Sequence, residues 1–239
     1  MFRRVFLCCA TWALAVPAMA GDGLLIAAGA GYRKPVLELV QAFTEATGIK
    51  AEASFGNMKQ IEMQARQNPD ISVLIGDKAF LAPMQLSEKF DLLGQGKLVL
   101  VAAQGQSLQG LEDLKGAAFQ RIAMPDRSKA VYGNAAYTCL ERSGLMPAVQ
   151  ARLLEVATVP QVSAYVLTRQ VDAGFVNATE ALALQDKAGP QVAVAATCYD
   201  PIELSMTVLT GRENSTGVQA FQDFVATPTA RKVMQRHGM

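Results

Sequence analysis

The stretch that most limits what this chain can become is residues 24–43, LLIAAGAGYRKPVLELVQAF. An apolar strand runs into Gly29-Ala30-Gly31-Tyr32 and hands over to a helix opened by Pro35, a residue tolerated in a first helical turn because its missing N–H has no partner to lose there. Val36, Leu39, Val40 and Phe43 recur at one-face helical spacing, and Thr47-Gly48 closes the segment. A strand that stops at small residues before a helix leaves unpaired N–H groups and the positive end of the helix dipole above the sheet. An anion is stabilised in such a place. A second junction follows, where alternating Ile49, Ala51 and Ala53 end in Phe55-Gly56-Asn57 before a helix near Met58. Asn57 is placed to cap that helix or to turn its amide toward a ligand. The bland alternative for the glycines is a tight turn that needs no ligand. A dinucleotide fingerprint fails, because Lys34 stands where its third glycine belongs.

Strand and helix signals then alternate along the whole chain. Strands are expected at 71–75 and 97–103, with a helix near 80–86. From Gln104 the pattern restarts, with a helical turn at 111–114, a strand at 121–124, and helices at 132–142, 147–153 and 159–169. A strand at 173–176, a helix at 178–187, strands at 191–196 and 204–209, and helices at 217–225 and 229–236 complete it. Repeated βα units imply an α/β fold of mostly parallel sheets flanked by helices. No Pro- or Ser-rich linker interrupts them, so two lobes joined by extended strands are expected: residues 21–101 plus 200–239 as the first lobe and 102–199 as the second. The crossings are expected near 98–103 and 197–202, the last two helices return to the first lobe, and the ligand cleft lies between lobes. Arg127-Ser128-Lys129-Ala130-Val131-Tyr132-Gly133, Thr158-Val159-Pro160 and Asn177-Ala178-Thr179 are further strand-to-helix junctions with small, hydroxyl or amide residues. Together these junctions point to an anion or small polar ligand. Arg33, Lys34 and Lys59 stand in first helical turns, against the dipole preference, which fits a nearby anion or a solvated surface.

Residues 1–20 read as a cleavable export signal, with Arg3 and Arg4, an apolar core at 5–16 and Ala18-Met19-Ala20 as the cleavage site. Arg3-Arg4-Val5-Phe6-Leu7 also resembles a twin-arginine signal, leaving the route open. Cys8 and Cys9 leave with that segment, so Cys139 and Cys198 remain in an oxidising compartment, as a disulfide or as two separate buried thiols. With Arg3 and Arg4 gone, the basic residues fall one short of the 21 acidic ones. No basic run suggests nucleic acid, and no later apolar run is long enough to span a bilayer. Catalysis finds no motif: the single histidine, His237, is two residues from the C-terminus, and there is no G-x-S-x-G elbow, H-E-x-x-H or clustered metal-ligand spacing. Neither an enzyme, a cofactor nor a metal is expected.

LLIAAGAGYRKPVLELVQAFTEATGIKAEASFGN, NPDISVLIGDKAFLAP, AYVLTRQVDAGFVNATEAL and FQDFVATPTARKVMQRHGM resemble, in order and spacing, the molybdate-binding family of bacterial periplasmic solute-binding proteins. The resemblance implies the type II periplasmic binding fold, a monomer with a small oxyanion such as molybdate or tungstate held between two hinged lobes. It also implies delivery to the permease of an ABC importer in the inner membrane. Position by position, the family's first-loop serine falls on Ala30 or Gly31 and its second serine on Asn57. Its backbone donors fall on Tyr132 and Val159, and its tyrosine on Asn177. Both serine hydroxyls and the tyrosine are therefore absent here, and Gly29, Tyr32, Asn57 and Asn177 complete the expected ligand site with these donors. A different small anion or organic ligand, carried for transport or for a membrane sensor, is the alternative reading, and an exported enzyme the more distant one.

Overall fold

A computed structural model describes residues 23–239; the export signal expected at 1–20 lies outside the described residues. In chain order the elements are β1 Leu24–Gly29, α1 Arg33–Thr47, β2 Ala51–Gly56, α2 Met58–Gln67, β3 Ile71–Asp77, α3 Lys78–Leu81, β4 Asp91–Gly96 and β5 Leu98–Ala102. They continue with β6 Ile122–Pro125, α4 Val131–Arg142, α5 Met146–Val149, β7 Leu153–Val156, α6 Val159–Leu167, β8 Ala173–Asn177 and α7 Ala178–Leu184. The chain ends with β9 Gln191–Ala193, β10 Ile202–Val208, α8 Thr216–Val225 and α9 Pro228–Arg236.

The strands form two five-stranded sheets, ordered β2-β1-β3-β10-β4 and β7-β6-β8-β5-β9. In each, three strands are parallel and carry a strand-to-helix junction at the same end, as the βα units imply. The other two pairings in each sheet are antiparallel, so the sheets are mixed rather than mostly parallel. The physical reason is the way the chain changes lobe. β5 and β10 each enter their sheet directly from the other lobe, so they start at the cleft and run away from it, whereas the parallel strands run toward it.

That arrangement also moves the first crossing. All of β5 is hydrogen-bonded to β8 and β9, so the chain crosses at Lys97, between β4 and β5, earlier than the boundary at 101/102. The second crossing runs from a 3-10 turn at Ala196–Cys198 through Pro201 to β10. Leu98 donates its N–H to the Tyr199 hydroxyl at 3.0 Å, which ties the two crossings together. The last two helices pack on the first lobe: Phe43 of α1 meets Phe221 and Phe224 of α8 edge-on, with ring centroids 5.2 and 5.7 Å apart. Cys139 of α4 and Cys198 of the second crossing are disulfide-bonded, with their Cα atoms 4.6 Å apart.

Three local expectations differ. The helix expected near 80–86 is a short α3 followed by a 3-10 turn to Met84, because Pro83 cannot continue the hydrogen-bond ladder. The helix expected over 147–153 stops at Arg152, where β7 begins. β4, Asp91-Leu-Leu-Gly-Gln-Gly96, had no strand signal, since its order comes from pairing with β10 rather than from its own alternation.

Candidate ligand site

Four junctions meet between the sheets and enclose a cavity of about 20 Å³, lined by residues 29–32, 56–58, 130–132 and 158–159. That volume suits a water-sized group or compact ion and is far below the 300–1,000 Å³ typical of drug-sized ligands. None of the lining side chains carries a charge.

Each junction is shaped by its own sequence. After β1, residues 30–32 make one 3-10 turn before α1, leaving the first N–H groups of the turn without an internal acceptor. After β2, Asn57 caps α2 in a capping box: its Oδ1 accepts the Gln60 N–H at 3.0 Å, and Gln60 Oε1 accepts the Asn57 N–H at 2.9 Å. The backbone N–H and the side-chain carbonyl oxygen of Asn57 are thereby committed, and its Nδ2 faces the Ala157 carbonyl at 3.5 Å. After β6, Asp126 Oδ1 accepts from the Ser128 and Lys129 N–H groups and organises the turn into α4. Partial burial opposes ionisation of Asp126, but hydrogen bonds from Lys129 and Ser128 prevail and hold its carboxyl down to about 2. The first-turn N–H groups of Val131 and Tyr132, and of Val159 beside Pro160, have no acceptor in their own helices.

The lobes touch directly around this cavity. Asn177, at the end of β8, accepts the Glu180 N–H on Oδ1 and sends Nδ2 across the cleft to the Gly31 carbonyl at 2.7 Å. It is fully buried but does not line the cavity. A Cβ on Gly31 would stand 3.1 Å from that Nδ2 and 3.4 Å from Val159, so glycine permits the approach. Met58 donates its N–H to the Lys129 carbonyl at 2.8 Å, and the Tyr32 and Tyr132 hydroxyls lie 3.1 Å apart. Burial, foremost, raises both phenols above their ordinary range and keeps them neutral. Lys34 pairs with Glu180 at 2.8 Å, Arg33 sits 4.9 Å over the Phe55 ring and Lys59 pairs with Glu62. The three cations therefore have protein partners of their own, and the cavity's attraction for an anion rests on backbone dipoles.

The structure thus brings Gly29, Ala30, Gly31, Tyr32, Asn57, Tyr132 and Val159 onto one cavity and sets Asn177 behind it as a bridge. Sequence reasoning did not single out Gly56, Met58, Ala130, Val131 or Thr158 as ligand-site residues. Their only signal was position within the junctions.

A model of the bacterial extracellular solute-binding proteins matches residues 24–239. The chain belongs to this family. Relatives of this solute-binding protein include the molybdate-binding protein ModA of Rhodobacter capsulatus, 26% identical over 94% of this chain and 90% of that protein. ModA of Azotobacter vinelandii is 27% identical over 94% of this chain and 92% of its own length. The solved Azotobacter vinelandii periplasmic molybdate-binding protein superposes with a TM-score of 0.82 at 20% identity, covering 90% of this chain and 97% of that one. The two-lobed type II architecture is shared.

Asp77, the last residue of β3, lies close enough to act on both tyrosines. Burial raises its carboxyl to about 6, opposed by the N–H groups of Ala79, Glu203 and Lys78 and reinforced by the Glu203 carboxylate. A folded pKa above the unfolded one means that stability is fully present below about 4 and is lost as pH rises through about 6. Asp77→Asn keeps the capping oxygen and is expected to flatten that slope, with a gain on the order of 2 kcal/mol at pH 7. Thermal melts of both proteins between pH 4 and 7 check this.

Proposed function

We propose that this chain captures a small tetrahedral oxyanion, molybdate or tungstate, between its lobes and presents the closed form to the permease of an ABC importer from the periplasm. The observation that carries the reading is the convergence of unpartnered helix-start N–H groups from both lobes on one compact cavity with no charged wall. Relatives named for molybdate support the choice of anion. Donors from two lobes complete the shell only when the lobes are closed, so an anion stabilises closure by its differential affinity for that state. Backbone donors survive the absence of the two serines and the tyrosine. Each missing charge-assisted bond costs about 1.5–3 kcal/mol, which keeps a different small anion as the second reading.

A thermal-shift panel on residues 21–239 with molybdate, tungstate, sulfate, phosphate and small carboxylates tests this. At a hundred times its dissociation constant a ligand stabilises by about 2.7 kcal/mol, which raises the melting temperature by roughly 5–11 °C at this size. A shift confined to molybdate and tungstate is expected. A shift only with carboxylates would transfer the site to an organic anion.

A further inference from the structure

We propose that Tyr132 is a positioning residue that couples an anion in the cavity to the hinge; this rests on reading that cavity as the ligand site. Three observations meet at this one residue. Its backbone N–H belongs to the first turn of α4, on the cavity wall. Its fully buried side chain places a hydroxyl 3.1 Å from that of Tyr32 in the other lobe, with the rings edge-on at 6.0 Å between centroids. The same hydroxyl lies against Gly96 so closely that a Cβ there would collide with it, and also with Ile202 at 2.5 Å.

Gly96 ends β4, Ile202 opens β10, and the two are register partners. They are therefore the first-lobe residues flanking both crossings. The absence of a side chain at 96 leaves room for a tyrosine hydroxyl from the second lobe at the hinge. Lobe opening carries α4 away from the Tyr32 turn and separates two hydroxyls that are buried in the closed form. The hydroxyl pair thus favours the same state that the anion favours, and the two act on one equilibrium. The disulfide strengthens the linkage, because it fixes α4 two turns further on to Cys198 in the second crossing. The Tyr132 side chain is committed to Tyr32, to Asn177 of its own lobe and to the hinge, so its effect on the anion is exerted through closure.

Tyr132→Phe keeps the ring and the backbone donor while removing the hydroxyl. Molybdate dissociation, followed by stopped flow and calorimetry, is expected to quicken about fivefold to tenfold, the net worth of one buried hydrogen bond. Tyr32→Phe is expected to share most of that effect, and the double variant to be no worse than Tyr132→Phe, because both remove the same contact between the lobes while Asn177, the other partner of Tyr132, lies in its own lobe. X-ray scattering of the unliganded variants is expected to give a larger radius of gyration than the native chain. A hydroxyl that only supports the core would lower the melting temperature and leave dissociation unchanged. That result, or additive effects in the double variant, overturns the proposal. If the native chain binds neither molybdate nor tungstate, the oxyanion reading fails by itself and scattering decides: expansion in Tyr132→Phe supports the hinge role, and identical curves overturn it.

Discussion

Gly133→Ala is expected to destabilise the protein by about 3 kcal/mol, the upper end for overpacking, and to remove most of the oxyanion-induced thermal shift. Gly133 is the third residue of α4, immediately after the two cavity donors. A Cβ there would run into the Pro125 carbonyl oxygen and stand 2.5 Å from the Asp126 carbonyl oxygen. Both obstacles are backbone, so no rotamer change relieves them. The Asp126 carbonyl also accepts the Ala130 N–H at 2.9 Å, so the turn that aims α4 is the part that must give. A shift of a few tenths of an ångström to one ångström at the helix start displaces the Val131 and Tyr132 N–H groups together. Gly110→Ala is the control, because its Cβ position is open and surface changes of that kind usually stay within about 0.5 kcal/mol. Melting with and without molybdate reads both effects. Native stability and an intact ligand shift in Gly133→Ala would mean that the end of β6 is softer than its packing implies.

How much of this was legible in the sequence depends on the range of the interaction concerned. The junctions at residues 29–32, 56–58, 130–132 and 158–159 are local: small residues end a strand, a cap or proline starts a helix, and the orphan N–H groups follow from helix geometry. Their meeting on one cavity followed from the lobe arrangement. The contacts that hold the lobes together had no such signal. Tyr32 and Tyr132 are 100 residues apart, and Asn177 lies 146 residues from the Gly31 carbonyl it bridges, so neither pair has a spacing that announces it. Asn57 illustrates the opposite case. Its N-cap role was readable from Asn57 and Gln60 at capping-box spacing, but that box takes up its backbone N–H donor, and its side-chain Nδ2 faces the Ala157 carbonyl at 3.5 Å. Lys34 misleads for a similar reason, since a cation in a first helical turn suggests an anion, and its partner is Glu180 of the other lobe. β4 and β7 escaped because a glycine-containing edge strand and a four-residue strand after a helical turn are defined by their neighbours.

Loss of the Cys139–Cys198 bond is expected to lower stability by about 4 kcal/mol, the chain-entropy value for a loop of 59 residues. At 2–4 °C per kcal/mol for a chain of this size, the melting temperature falls by roughly 8–16 °C. Cys139→Ala with Cys198→Ala is the appropriate variant, because Cys139 is fully buried in the α4 face and a hydroxyl there would lack solvent. Reduction of the native protein should reproduce the loss. The bond closes a loop containing the end of α4, then α5, β7, α6, β8, α7 and β9, more than half of the second lobe, so its removal frees that segment chiefly in the unfolded state. In the folded state it leaves α4 attached to the second crossing by packing and by the Arg142–Asp200 ion pair. The two contributions separate experimentally: the entropic one lowers the melting temperature equally with and without molybdate, whereas a loosened α4 also weakens the molybdate-induced shift. Equal losses in both conditions would confine the disulfide to stability and leave the Tyr132 hydroxyl as the link between α4 and the hinge.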